Sequence, residues 1–170
     1  MTHFYLRFAL ALALSLFATA APAASLAIFD FELIDSSLDG QFKGPQKAEQ
    51  DRLAGLAVIL REKLVAAGRY TLVDIAPVRE RAKAANLQSC GQCDAALARE
   101  IGADLSMTGT VQKVSNLILN INIYIRDAKS GEMQDVMSVD IRGNTDESWS
   151  HGINWLLRNK LLPLPDCPKP

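Results

Sequence analysis

Alternating apolar and polar residues between positions 117 and 125 constrain the fold of this 170-residue chain more than any other feature. The odd positions of the segment are all aliphatic: Leu117, Leu119, Ile121, Ile123 and Ile125. Between them, after Ile118, lie Asn120, Asn122 and Tyr124. A period of two is typical of a β-strand that places one face on a hydrophobic core and the other toward water. The segment therefore predicts a half-buried strand.

Two neighbouring segments repeat the alternation and extend this strand into a sheet. The preceding segment has the weaker pattern and includes Leu105, Met107, Gly109 and Val111. The following segment has Met137, Val139 and Ile141 on one face and Ser138, Asp140 and Arg142 on the other. Turn-forming residues separate the segments near 115–116 and 129–131. We therefore predict an antiparallel meander of three strands.

The region before the meander predicts two strands joined by a long helix. Residues 25–33 are nearly all apolar, as in a central strand covered on both faces. Residues 35–46 are polar and contain glycine and proline, so we expect a loop without regular structure. A stripe of leucines then predicts a helix over 47–67, which Gly68 ends in a left-handed conformation. A short strand is predicted over 69–76.

Three further helices complete the predicted elements. Pro77 suits the first turn of a weakly amphipathic helix that ends near Asn86. Residues 94–101 predict another short helix. The last helix begins at Asn144 or Thr145, both of which can cap a helix. Its predicted buried stripe consists of Trp149, Ile153, Leu156 and Leu157.

This order of elements predicts an α+β (mixed α/β) fold, β-α-β-α-α-β-β-β-α, with a mixed sheet of about five strands and helices mainly on one face. The first two strands are joined through a helix, so we expect them to be parallel with a right-handed crossover. We expect one domain over residues 24–162, because the chain is long enough for one core but not for two. The Pro-rich residues 163–170 are expected to be an irregular tail.

The first 23 residues have the features of a signal peptide. Arg7 supplies a positive charge, residues 8–18 form an apolar run, and Ala21-Pro22-Ala23 has the small residues of a signal-peptidase site. The apolar run is shorter than the about 20 residues that span a bilayer. No cysteine follows it closely, which argues against a lipid anchor. We therefore expect cleavage near Ala23, export to the periplasm and no transmembrane span after cleavage.

Composition and motifs exclude several classes of protein. The chain is 49% hydrophobic and 22% charged, which is typical of a globular rather than a disordered protein. Its net charge of -1 argues against nucleic acid as a partner. The densest basic group, Arg79, Arg81 and Lys83, is interrupted by Glu80 and is interpreted as a solvated helix face. The sequence has no phosphate-binding loop and no dinucleotide-binding glycine motif, so we predict no cofactor.

Several short motifs together resemble a known domain. The first strand reads A-I-F-D-F, the long helix ends in A-A-G-R-Y, and the next strand reads T-L-V-D. Later segments read I-G-A-D-L-S-M-T-G-T-V and R-D-A-K-S-G. Through these motifs, residues 25–161 resemble the domain shared by the amino-terminal part of TolB, the curli-secretion protein CsgG and the flagellum-associated protein FlgO. The segment R-G-N-T-D-E-S-W further resembles a group of small proteobacterial periplasmic proteins.

The resemblance implies a binding or assembly module of the cell envelope and no enzymatic activity. The chain lacks the propeller of TolB, the lipidation cysteine of CsgG and pore-forming hairpins, so a role in secretion or translocation is not implied. We predict an exported, non-enzymatic periplasmic module whose partner is another envelope protein or a small ligand. An accessory protein of a periplasmic quinoprotein dehydrogenase system is one alternative.

Cys90 and Cys93 form the sequence C-G-Q-C, whose spacing matches the redox motif of thioredoxin-like proteins. That motif follows a strand, whereas the residues before Cys90 look helical or looped. We therefore predict a structural disulfide in an oxidising compartment, with a thiol–disulfide redox protein as the alternative. Cys167 is then either free or paired with one of these two. A zinc site formed by the cysteines and His151 is a weaker alternative, because no spacing demands it.

Four acidic residues near the predicted strand ends are candidates for ligand binding: Asp30, Glu32, Asp35 and Asp74. Asp30 and Asp74 fall near the carboxyl ends of parallel strands, where open sheets tend to bind ligands. The sequence spacing of the four residues matches no calcium-binding loop. We interpret them as residues that cap loops or face solvent, and we predict no metal site.

A polar segment at the start of the last helix is the candidate partner surface. Helix capping explains most of its composition, and the residues that remain candidates for a partner are Arg142, Asn144, Asp146 and Glu147. Trp149 is expected in the core, on the buried stripe of the helix. Ser148, Ser150 and His151 are neighbours on one helix and do not form a catalytic triad, so we predict no catalytic residue.

Overall fold

The computed structural model describes residues 23–162. The predicted leader up to residue 22 and the tail 163–170, which includes Cys167, lie outside the described residues. The strands are β1 (Ser25–Ile28), β2 (Glu32–Asp35), β3 (Thr71–Val73), β4 (Leu105–Lys113), β5 (Leu119–Asp127) and β6 (Met133–Ile141). The α-helices are α1 (Leu38–Lys43), α2 (Lys47–Ala67), α3 (Arg79–Ala84), α4 (Cys93–Glu100) and α5 (Asp146–Leu156).

The sheet has the strand order β3-β1-β4-β5-β6, with β2 also paired to β4. Strands β1 and β3 are parallel, β1 and β2 are both parallel to β4, and β4, β5 and β6 are antiparallel neighbours. The predicted α+β fold with a mixed sheet is therefore confirmed. The sheet has six strands rather than about five, because the first predicted strand is divided in two.

The division between β1 and β2 is caused by one extra residue. Leu26 is paired with Leu105, but Glu32 is paired with Thr110, so six steps along the first segment oppose five along β4. Such a bulge reverses the face on which each following side chain lies. Leu26 therefore packs into the same core cluster as Phe31, although one position is even and the other odd.

The meander is confirmed, with one boundary error. Ile121, Ile123 and the other predicted inward residues from Leu119 onward are buried. Leu117, however, is 71% exposed, because it belongs to the turn before β5 rather than to the strand. The strand therefore begins two residues later than the alternation predicted.

Two core clusters lie on opposite faces of the sheet. The larger one joins the even residues of β1 to the apolar faces of the long helices α2 and α5. The predicted stripe of α5, from Trp149 to Leu157, is buried in this cluster. The smaller cluster joins Ala27 and Phe29 of β1 to the short helices α3 and α4. The long helices thus share one face, as predicted, and the short helices cover part of the other.

The region predicted as a polar loop over 35–46 contains a short helix, α1, so that prediction was wrong. The Ser37 Oγ accepts a hydrogen bond from the Gly40 backbone N–H at 3.1 Å and caps the helix. Gly44 ends it with a φ of 68°. Two loop-forming residues thus act as helix boundaries, and α1 presents Leu38 and Phe42 outward.

Other boundaries differ by a few residues. The helix α2 has the predicted limits, and Gly68 follows it in the left-handed conformation, with a φ of 64°. The cap of α5 is Thr145, whose Oγ1 accepts a hydrogen bond from the Ser148 N–H at 3.2 Å. The strand predicted over 69–76 shortens to β3. No helix within residues 23–162 has both the length and the apolar character needed to cross a membrane.

Candidate functional site

A buried lysine lies at the end of β4, where β2 also ends and α2 and α5 begin. Lys113 is 2% exposed, since it follows Met107 and Val111 on the inward face of the strand. Its Nζ donates to Glu49 Oε1 at 2.7 Å and to Asp35 Oδ2 at 3.0 Å. Burial lowers the pKa of Lys113, but these two carboxylates outweigh burial and raise the pKa above its ordinary value.

Asp35 is held in its charged form by the same contacts. Burial raises the pKa of Asp35, but hydrogen bonds from Ser37 and from Lys113 lower it by a larger amount. The pKa of Asp35 therefore falls below its ordinary value. Ser37 N–H donates to Asp35 Oδ1 at 2.8 Å. The acidic residue predicted to cap a loop therefore does so, and it also binds the buried lysine.

Asn144 connects this ion group to the start of α5. Its Nδ2 donates to Glu49 Oε1 at 2.6 Å, and its Oδ1 accepts from Trp149 Nε1 at 3.0 Å. Arg52 donates to the same Asn144 Oδ1 at 3.2 Å and, through Nε, to Asp146 Oδ1 at 2.6 Å. We call this group the polar end cluster; it consists of Asp35, Glu49, Arg52, Lys113, Asn144 and Asp146.

The structure brings together only part of the predicted partner surface. Asn144 and Asp146 belong to the polar end cluster, and Glu147 lies beside it in a cavity of about 550 Å³ between α2 and α5. Arg142 instead lines a separate cavity with His151. Trp149 is in the core, as predicted, and its ring lies 6.0 Å from the guanidinium carbon of Arg52.

A third cavity, here called the end cavity, opens over the polar end cluster. Its volume is about 530 Å³, and it is lined by Glu49, Lys113 and Asn144 together with Asp39 and Lys43 of α1. Glu49 is 2% exposed, and its Oε2 has no hydrogen-bond partner within residues 23–162. A buried acceptor without a partner is uncommon in folded proteins. Glu49 therefore keeps one buried acceptor oxygen without a partner among residues 23–162.

Exposed apolar side chains lie on the two segments that border this cavity, α1 and the turn between β4 and β5. Phe42 is 85% exposed and Leu38 is 70% exposed, both on α1. The turn between β4 and β5 adds three more, and Asn116 of that turn donates to Asp39 Oδ2 of α1 at 2.7 Å. We call this group the apolar end surface; it consists of Leu38, Phe42, Val114, Leu117 and Ile118.

Sequence reasoning missed the apolar end surface and the polar end cluster. Leu38 and Phe42 are four positions apart in an otherwise polar segment, which is helical spacing and could have indicated one face of a helix. No local signal pairs Lys113 with Glu49, because 64 positions separate them. Only the packing of α2 against the end of β4 places them in contact.

The other acidic candidates make local contacts. Asp74 accepts a hydrogen bond from the Ala76 N–H at 3.0 Å, which is a turn-capping contact. Asp30 lies 3.3 Å from Arg61 and 3.8 Å from Arg79. Glu32 accepts from the Leu87 N–H at 3.2 Å, and burial, which outweighs this contact, raises its pKa. Within residues 23–162, no group of three His, Cys, Asp or Glu side chains is arranged to hold a metal ion.

Cys90 and Cys93 form a disulfide bond at the start of α4. Their Cα atoms are 5.7 Å apart, and both half-buried side chains pack against the smaller core cluster. Between them, Gln92 has a φ of 76°. The end of the Gln92 side chain lies against Gly131, so the disulfide loop contacts the β5–β6 turn. Whether the disulfide has only a structural role stays a prediction.

The fold and this site define a class, an open α+β domain with a polar cavity and exposed apolar side chains at one end of its sheet. The chain belongs to the family DUF3280, described as "Protein of unknown function (DUF2380)", whose model matches residues 24–161. No curated protein sequence matches the chain significantly.

Three solved structures have a similar fold. The LpoB C-terminal domain from Salmonella enterica is 14% identical, with 74% of this chain and 87% of that chain covered and a TM-score of 0.51. Lipoprotein GNA1162 from Neisseria meningitidis is 18% identical, with 82% and 99% covered and a TM-score of 0.51. The PelC dodecamer from Paraburkholderia phytofirmans is 12% identical, with 81% and 87% covered and a TM-score of 0.50. At these identities the likeness concerns the fold alone.

Proposed function

We propose that the chain is an exported, non-enzymatic binding or assembly module of the cell envelope, which works in the periplasm after removal of residues 1–23. The observation that carries this proposal is the apolar end surface, in which Phe42 is 85% exposed. Contiguous exposed apolar groups rimmed by polar residues mark interaction sites on soluble proteins. The occupant that we propose is another protein of the envelope.

The chemistry of the polar end cluster supports binding rather than catalysis. Lys113 is bonded to Glu49 and Asp35, and Arg52 to Asp146. Each charged group thus already contacts a partner of opposite charge, whereas a catalytic acid or base must keep its reacting proton accessible to substrate. We infer that this cluster fixes the position of α1 and α5 relative to the sheet. Asn144, Asp146 and Glu147 then form the polar rim of the partner surface.

Similar folds in a lipoprotein and in a dodecameric assembly support an envelope role. The residue motifs that resemble TolB, CsgG and FlgO support the same placement. We propose that the chain is distantly related to that group and shares only this domain with it. The leader-like residues 1–23 give the route of export.

Two measurements test this proposal. A reporter enzyme that is active only outside the cytoplasm, fused after Pro170, is expected to be active, and inactive when residues 1–23 are deleted. In a mild-detergent extract of native cells, the wild-type chain is expected to migrate in a complex larger than the monomer, and Phe42→Ser to migrate as the monomer. Val65→Ser, a change at a 59% exposed valine on α2, is the matched control and should leave the complex intact. A wild-type chain that migrates only as a monomer contradicts the proposal.

A second candidate function is thiol–disulfide exchange, and the position of the disulfide favours it. Cys93 is the first residue of α4, and a helix N-terminus stabilises a thiolate. If the bond is redox active, the purified chain reduces insulin in the presence of dithiothreitol faster than the Cys90→Ser variant does. If the disulfide has only a structural role, neither the wild-type chain nor the Cys90→Ser variant reduces insulin, and the variant is only less stable than the wild type. For this small loop the chain-entropy model gives a loss of about 2 kcal/mol.

A further inference from the structure

We infer that the exposed edge of β6, together with the groove between β6 and α5, binds an extended protein segment that carries an acidic side chain. This contact goes beyond the proposed function, because the groove shares no residue with the apolar end surface or the end cavity. It follows from three features, namely the unpaired backbone of β6, the lining of the groove and the unpaired charge of Arg142.

The strand β6 ends the sheet and has a hydrogen-bonded neighbour, β5, on one side only. The Gly143 N–H donates to the Leu117 carbonyl oxygen at 3.3 Å, in the register that pairs β6 with β5. In an antiparallel pair, the backbone groups of successive residues point alternately toward the partner strand and away from it. Counting back from Gly143, the residues of β6 whose N–H and C=O point away from β5 are Val136, Ser138 and Asp140.

This edge lacks the features that usually protect the edge of a sheet. Such edges are commonly short, or they carry lysine, proline or a bulge. The strand β6 has nine residues, none of them lysine or proline. Its bulge lies opposite Ile125 and Arg126, near the start of the strand, so it leaves residues 136–141 regular. The edge of β6 therefore offers a regular ladder of donors and acceptors, to which an extended segment can add as a further strand.

A groove of about 380 Å³ lies along this edge. The strand β6 contributes residues 139–142, which alternate between the two faces of the sheet, so the groove follows the edge of the strand rather than one face. The helix α5 contributes one helical stripe, which consists of Ser148, His151, Gly152 and Trp155. Alternate side chains of an added strand lie on the same face as Val139 and Ile141. They would therefore enter the groove beside Trp155, which is 36% exposed.

Arg142 lies at the end of this groove with its charge unpaired. Its side chain is exposed, and within residues 23–162 no carboxylate lies at ion-pair distance from its guanidinium. Asp140, the acidic residue of the groove lining, accepts a hydrogen bond from Asn120 Nδ2 at 2.7 Å on the face of the sheet away from α5. A carboxylate on the added segment would therefore receive a charge-assisted hydrogen bond from Arg142.

A second copy and the tail of the chain itself fit this edge less well. On the α5 side of β6, Met137 is 4% and Ile141 is 6% exposed, because both are packed in the core. A second copy that paired through its own β6 would hold these side chains beneath its own α5, so they would not fill the groove. Residues 163–170 include four prolines, which lack the N–H that a ladder needs. In either phase, alternate residues of this tail supply only two donors to the three outward carbonyl groups of β6.

Peptide selection followed by hydrogen exchange tests the inference. Peptides are selected from a random 12-residue phage library against the chain from Ala24 to Pro170, and we expect them to share an aspartate or glutamate beside alternating apolar residues. In NMR spectra of the chain without peptide, the amides of Val136, Ser138 and Asp140 should exchange quickly, and those of the odd residues between them slowly. A bound peptide should slow the exchange of the three outward amides at least about tenfold.

Substitutions locate the binding site of the selected peptides. Arg142→Gln is expected to weaken their binding about tenfold, because the carboxylate of the peptide loses its charged donor. Arg158→Gln, at another exposed arginine, is the matched control and should change binding by less than about twofold. Phe42→Ser should leave binding unchanged, since Phe42 lies outside the groove. Circular dichroism checks that each variant is folded.

The inference is overturned if no selected peptide protects the three outward amides, if Arg142→Gln binds the peptides as tightly as the wild type, or if Phe42→Ser abolishes their binding. It is also overturned if these amides exchange slowly in the monomer without peptide, which would place the tail on the edge. Slow exchange in a dimer seen by sedimentation would place a second copy there and overturn it as well. Failure of the proposed function gives a different result, in which the wild-type chain migrates as a monomer in cell extracts while the peptides still protect β6.

Discussion

Lys113 has an environment that lysine rarely adopts, because nearly all of its side chain is removed from water. Two carboxylates compensate its charge at 2.7 and 3.0 Å. A buried ion group of this kind contributes little net stability compared with apolar residues, but removing one member leaves the others unpaired. At the residue scale, Lys113 thus fixes where β2, β4 and α2 meet, and this junction supports the candidate site.

Lys113→Ala is expected to lower the free energy of unfolding by about 3–5 kcal/mol, because the buried Glu49 and the half-buried Asp35 then lose their counter-charge. Urea denaturation followed by circular dichroism measures the change. The control is Lys63→Ala at an exposed position of α2, which should change stability by less than about 0.5 kcal/mol. Equal effects of the two substitutions would contradict the account of the polar end cluster.

The shifted pKa values of the same residues predict how stability depends on pH. The pKa of Asp35 is lowered, so its contribution is present above the ordinary value of 3.8 and is lost as pH falls through the lower, folded-state pKa. The pKa of Lys113 is raised, so its contribution is present below the ordinary value of 10.5 and is lost as pH rises through the higher, folded-state pKa. The stability difference between wild type and Lys113→Ala should therefore be largest between these limits. A difference that is constant from acid to alkaline pH would refute this.

At the scale of elements, the bulge between β1 and β2 determines which side chains face the long helices. It turns Phe31 inward, where the ring lies directly over Gly109 of β4. A Cβ at position 109 would lie 2.2–2.5 Å from three ring carbons, which is far below contact distance. The inward position of Phe31, which the bulge produces, therefore requires a residue without a side chain at position 109.

Gly109→Ala is expected to destabilise the fold by about 1–3 kcal/mol through overpacking against Phe31. Gly55→Ala is the matched control, since nothing lies within 4 Å of its Cβ position on α2 and alanine favours a helix by about 1 kcal/mol. Thermal unfolding should therefore show a lower Tm for the first variant and an unchanged or higher Tm for the second. A Gly109→Ala variant as stable as the wild type would show that Phe31 does not occupy this position.

The sequence allowed prediction of those helices and strands that are determined by neighbouring residues. Alternation at Ile121 and Ile123 indicated the central strand of the meander, and Gly68 indicated the end of α2. The bulge was missed because residues 26–29 are all apolar, and such a run shows no alternation from which a change of face could be read. The helix α1 was missed because Gly40 and Gly44 suggested a loop, although Ser37 could cap a helix. The site was only partly predicted, through Asn144 and Asp146, because its other members come together by tertiary packing.

At the scale of the whole molecule, the two ends of the sheet differ. One end holds Ser25 and Asp104 at the strand starts. The other end combines the polar end cluster, the end cavity and the apolar end surface. The family and the similar folds describe the scaffold on which this end is built. The proposed function depends on the end surface, which holds five of the eleven large apolar side chains that are exposed within residues 23–162.

Photocrosslinking in intact native cells tests the central claim most directly. A photoreactive phenylalanine analogue at position 42 is expected to form a crosslink to one envelope protein, because Phe42 lies in the proposed interface. The same analogue at position 65 should form none, since Val65 lies on α2 outside that surface. Mass spectrometry of the crosslinked peptide would identify the partner segment. Crosslinks of equal yield from both positions, or none from position 42, would contradict the proposal that this end of the molecule is a binding surface.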